Sequence, residues 1–111
     1  MKQLLLILSL TLGLATAANA GFYNDRSDWN ELGNSKEYYV MGLFDEISLQ
    51  NLGDDNAQLE FKGNLVNCII KYKVKSNTLV DLVDIYYQDV ANWTVRPRHA
   101  LVQSLIKFCK L

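Results

Sequence analysis

Two cysteines, one histidine and twelve carboxylates are the side chains of this 111-residue chain whose chemistry goes beyond packing. Cys68 and Cys109 read first as a pair. An even number of cysteines in an exported chain forms a disulfide, and metal or nucleophile roles recede accordingly. His99 is the single histidine, and Ser27, Ser35, Ser48, Ser76 and Ser104 are scattered with no nucleophile-elbow motif, so a Ser-His-acid site would have a base without an activated partner. Asp81 and Asp84 stand three apart and Asp54 adjoins Asp55, but neither pair has the ligand count or spacing of a metal loop. They read as solvated acids and His99 as a surface residue. The expectation is a protein without catalysis, metal or cofactor.

The N-terminus decides which compartment applies. Lys2 precedes an apolar run from Leu4 to Leu14, broken only by Ser9, Thr11 and Gly13, and Ala18-Asn19-Ala20 places small residues before Gly21. Residues 1–20 therefore read as a secretory signal peptide. A bilayer-spanning helix needs about 20 apolar residues, more than the run supplies. Export implies an oxidising, periplasmic setting, and no cysteine near the cleavage site offers an acylation point. Removing residues 1–20 takes one lysine and no acid, leaving 91 residues with 10 basic and 12 acidic side chains, a net charge of −2. On that balance neither nucleic acid nor, after cleavage, a membrane is an expected partner. A domain this small gains from a covalent staple, and closing a loop of about 40 residues contributes roughly 4 kcal/mol in the chain-entropy model.

The elements that must position these residues are helical. Ser27 and Asp28 are candidate caps of a short helix, with Glu31 in capping-box spacing to Asp28. After Gly33-Asn34-Ser35, the recurrence of Tyr39, Leu43 and Ile47 predicts a helix over 36–49, with Gly42 in its middle suggesting close approach of another backbone or a merely tolerated glycine. Asn51 to Asn56 gathers turn formers and reads as an exposed loop. Leu59 to Val74 reads as extended or irregular, on Gly63-Asn64 and the alternation of lysines with Tyr72 and Val74. Ser76 or Asn77 opens the clearest helix, with Leu79, Leu82, Val83, Tyr86, Tyr87 and Val90 on one face and an end near 91–93. Pro97 suits the first turn of a last helix that turns Cys109 inward. The fold class is all-α: one domain of three to four helices over residues 21–111, stapled by Cys68 and Cys109.

Aromatic residues are numerous for so small a core. Trp29, Tyr38, Tyr86, Tyr87 and Trp93 are candidate anchors for a protein partner, each with core packing as the alternative reading. Asn92-Trp93-Thr94 matches the glycosylation pattern and carries no functional weight here.

Tyr39-Val40-Met41-Gly42-Leu43-Phe44-Asp45 on a helix, then a loop, Cys68, an amphipathic helix ending in Tyr86-Tyr87, Pro97 with Ala100-Leu101-Val102, Leu105 and Phe108-Cys109 resemble the Rap/Tai family. These are small periplasmic immunity proteins of type VI secretion. The resemblance runs over roughly residues 36–109, with Gly42, Asp45 and Pro97 among its positions. It implies a mostly helical protein, often a homodimer, that binds and neutralises a kin-delivered peptidoglycan amidase. The chain departs from the family's pattern in having Ile69-Ile70 where a proline commonly follows the first cysteine, and in lacking a cysteine in the first helix.

A hydrolase inhibitor must fill a cleft, and the 51–58 loop is the segment suited to it, with Asp54, Asp55 and Asn56 as expected contacts and Trp93 as a further candidate. Two other readings stay open. One is a periplasmic acid-activated chaperone or general envelope-binding protein, in which protonation of the acids frees aromatic faces. The other is a protein that binds a peptidoglycan fragment on an aromatic surface.

Overall fold

The computed structural model describes residues 23–111, so the leader assigned to residues 1–20 lies outside the described residues. Five α-helices follow: α1 (Arg26–Glu31), α2 (Lys36–Ser48), α3 (Asn56–Lys71), α4 (Ser76–Tyr86) and α5 (Pro97–Cys109). Short 3-10 turns cover Gly33–Ser35 and Val90–Asn92. No strand occurs among the described residues, and no helix among them is long and apolar enough to cross a membrane. The all-α expectation holds, with five helices where three to four were expected because the 59–74 segment is helical too, and the bond between Cys68 and Cys109 is formed, with Cα atoms 5.8 Å apart.

Packing follows the apolar periodicity. The α2 helix lies on α4, α4 on α5, and α3 rests against α2 and α5. Val40, Leu43 and Ile47 from α2 meet Leu79, Val83 and Tyr87, and Leu65 meets Ala100, Leu101 and Leu105 in one continuous core. Trp29 sits in that core fully buried. It is therefore no interface anchor: its indole N–H donates to Asp84 Oδ1 at 2.7 Å, and Lys36 Nζ reaches the same oxygen at 3.0 Å while lying 5.2 Å from the ring centroid. Tyr87 is buried as well, its hydroxyl donating to the Val95 carbonyl. Burial pushes the ionisation of this phenol upward.

The 59–74 region corrects the extended reading. Phe61, Leu65, Cys68, Ile69 and Tyr72 recur at helical spacing, and Asp55 with Gln58 forms a complete capping box that starts α3. Burial of Leu65 and Cys68, with Phe61 and Ile69 packed against the core, overrides the local strand preference of the β-branched Ile69-Ile70 pair, although Ile70 itself stays exposed. The lysine-rich alternation after it is a tight turn, with Lys73 at φ 51° and the Val74 N–H closing on the Ile69 carbonyl.

Boundaries shift elsewhere for local reasons. Asp25, rather than Ser27 or Asp28, caps α1 by accepting from the Asp28 N–H at 2.9 Å. Neither Ser35 nor Ser76 caps with its side chain; Ser76 donates to Glu37 Oε1 at 2.7 Å instead, tying α4 to α2. The α4 helix stops at Tyr86, several residues before the expected end, because Asp89 starts a 3-10 turn by accepting from the Ala91 N–H. Gly42 is exposed, and a Cβ built on it meets nothing within 4 Å, so no neighbouring backbone requires the glycine. Asp45, also exposed, contributes its carbonyl to the end of α2. Pro97 is buried at the first position of α5, as its fixed φ favours.

Candidate functional site

The connection from α2 to α3 is a braced projection. Asn51 N–H donates to Asp54 Oδ2 at 2.8 Å and accepts in return through its carbonyl from the Asp54 N–H at 3.1 Å. Lys62, one turn and a half into α3, reaches back with its ammonium to Asp54 Oδ2 at 2.7 Å and to the Leu49 carbonyl at 2.7 Å. Asp55 and Gln58 exchange backbone and side-chain hydrogen bonds at 2.8 Å each. The seven residues 49–55 are thus held at both ends, and the entropy cost of ordering them is already met in folding.

This bracing redefines the acids. Asp54 is not an outward group: its side chain keeps only 8% of its surface, locked against Lys62. The Asn51 N–H, and then the Lys62 ammonium, hold its carboxyl below the usual carboxylate range. The brace therefore lasts into acid and loosens only as the pH falls through that lowered value. Asp55 spends its carboxylate on the helix cap while remaining exposed, and Asn56 is exposed as the first residue of α3. At the tip stands Leu52, fully exposed. Sequence reasoning passed over Leu52 and Lys62; the available signal was a single leucine inside a run of turn formers, with a lysine one helical stretch downstream.

Beside the base of the loop is a concavity of about 440 Å³ lined by Ile47, Asp55, Gln58, Phe61, Arg98 and Val102 among others. The exposed Leu52 and this hollow thus belong to the same end of the α2–α3 connection, and Arg98, which lines the hollow, pairs with Glu46 Oε1 at 3.4 Å.

Among the other candidate residues, Trp93 and Asp84 tie elements of the fold together, while Tyr38 and His99 lie exposed. Trp93, half-exposed, donates its indole N–H to the Tyr87 carbonyl at 2.9 Å and lies under the Arg26 guanidinium, 4.2 Å from its centroid. The Arg26 N–H donates to the Trp93 carbonyl at 3.0 Å, so this tryptophan fastens α1 to the α4–α5 connection. Tyr38 is exposed and Tyr86 partly buried against Tyr87. Asp84 is engaged by Trp29 and Lys36, which separates it from Asp81 as a chemical pair. His99 is exposed in the first turn of α5. Among the described residues no three His, Cys, Asp or Glu side chains gather as a metal set. A second and larger groove, about 660 Å³, runs between α4 and α5 and is floored by Leu82, Ile85, Tyr86 and Phe108.

Comparison with protein-family models, with curated proteins and with solved structures finds no match.

Proposed function

We propose that this is an exported immunity protein that binds a secreted peptidoglycan amidase, with the 49–55 loop as the part that enters the enzyme's cleft. The observation that carries the reading is Leu52, an apolar side chain wholly in water at the tip of a turn braced from both sides. An unpartnered leucine in that position costs solvation in the free protein and rewards burial in a complex. The resemblance over residues 36–109 supplies the amidase as the partner class and the periplasm as the place. The disulfide supports the same setting, since such bonds persist in oxidising compartments.

The test is a kin competition. A strain lacking the gene is grown against its secreting parent, complemented with the exported wild type or with Leu52→Asp. The wild type should rescue, and the variant should fail at equal protein level and equal helical content, since a charge buried in the cleft weakens binding by roughly tenfold or more. Survival of the uncomplemented deletant argues against immunity. Rescue by Leu52→Asp moves the contact away from the loop.

A further inference from the structure

The charges of this chain are segregated in space. Lys71, Lys73, Lys75, Lys107 and Lys110 lie at the end where α3 and α5 terminate and α4 begins. The bond from Cys68 to Cys109 and the edge-on packing of Tyr72 against Phe108, 5.7 Å between centroids, hold those helix ends together. All five lysines are exposed, and none forms an ion pair among the described residues. No acid occurs within residues 61–80 or 90–111. Glu37, the acid that borders this end, is occupied by the Ser76 hydroxyl. The other described residues carry five basic and twelve acidic side chains, so a chain of nearly balanced charge consists of an end at +5 and a remainder at −7.

The basic end is also apolar. Ile70 is 69% exposed, Tyr72 56% and Phe108 39%, set among the lysines rather than apart from them. Helix dipoles account for two of the five, Lys71 and Lys107 in the last turns of α3 and α5, but give no reason for exposed isoleucine and aromatic rings beside them. We infer that this end docks peripherally on an anionic phospholipid surface, with the lysines over the headgroup phosphates and Ile70, Tyr72 and Phe108 in the interfacial layer. The combination is what that layer selects: cations drawn to its negative potential, aromatic rings at headgroup depth, and lysine stems lying along apolar surface. A nucleic acid or a glycan would use the charge and leave Ile70 unrewarded.

The experiment is co-sedimentation of the leader-processed protein, its N-terminus checked by mass, with vesicles of phosphatidylcholine alone or mixed with phosphatidylglycerol. Binding should require phosphatidylglycerol and weaken with salt. Lys71→Gln/Lys75→Gln/Lys107→Gln should reduce it about a hundredfold, from about fivefold per lysine. Ile70→Ser/Tyr72→Ser should also reduce it, with helical content unchanged in both variants. Equal binding to both vesicle types overturns the inference, as does indifference to the lysine variant or to the apolar one. Leu52→Asp should leave vesicle binding untouched, so this surface and the amidase reading stand or fall separately.

Discussion

Single side chains in this protein are bound to more than one neighbour. Asp84 accepts from an indole and an ammonium on one oxygen, which explains how a tryptophan that looks like an interface anchor in the sequence ends at the centre of the core. That pairing was not legible because its members are 55 residues apart, and residue type says only that a tryptophan needs a partner for its N–H. Tyr39 offers the clearest pH test. Burial first, then the neighbouring Tyr23, raises its phenol from 10.0 to about 12. Between those values the unfolded chain has lost a proton that the folded chain keeps, so the stabilisation is complete below pH 10 and drains away as the pH climbs towards 12. Tyr87 is shifted in the same direction for the same first reason. An alkaline titration followed by tyrosinate absorbance and circular dichroism should show two late-ionising tyrosines whose absorbance rises together with the loss of helix.

The helices differ in how openly the sequence announces them. The α2 and α4 stripes are continuous and were readable, whereas α3 opens behind a cluster of turn formers and closes in β-branched residues. Its helical spacing competes there with a local preference for strand. The signal for α3 is the capping box of Asp55 and Gln58, hidden because Asp55 stands at the end of a run of turn formers. The expected loop holds over 51–55, whereas Asn56 to Gln58 form the first turn of α3, and Asp54 and Asp55, two of its three expected contacts, are engaged by Lys62 and by the helix cap. Gly42 lends itself to a test at this scale. With open space where a Cβ would stand, Gly42→Ala should stabilise the protein by about 1 kcal/mol, raising Tm by roughly 4–8 °C for a domain of this size. A thermal melt showing no rise would mean that α2 needs the glycine for something that free space does not reveal.

At the scale of the whole molecule, composition and arrangement carry different information. A net charge of −2 for residues 21–111 argued against anionic partners, yet the same side chains sorted by position leave one end strongly basic. Only the fold brings Lys71 and Lys107 to one end. The disulfide was legible because two cysteines admit one pairing and the last helix's stripe turns Cys109 inward; that Cys68 also stands on a helix was not, because its segment reads as extended. Replacing both cysteines by serine should cost about 4 kcal/mol for the 41-residue separation, a large share of the stability of so small a domain. Denaturant unfolding of the variant against the oxidised parent measures it; a loss under about 1 kcal/mol would place the stabilisation in packing instead.

The same bond divides the chain mechanically. A pull applied through its two ends travels from Cys68 to Cys109 across the sulfur atoms and bypasses everything between them. The residues of α4, its 3-10 turn and α5 then carry no tension, and about 140 Å of extended chain stays out of reach of force while the bond is oxidised. What yields under load is α1, α2 and α3 as far as Cys68, so the 49–55 loop lies in the part that gives way, while Lys71, Lys73, Lys75 and Lys107 lie in the part that cannot be drawn out.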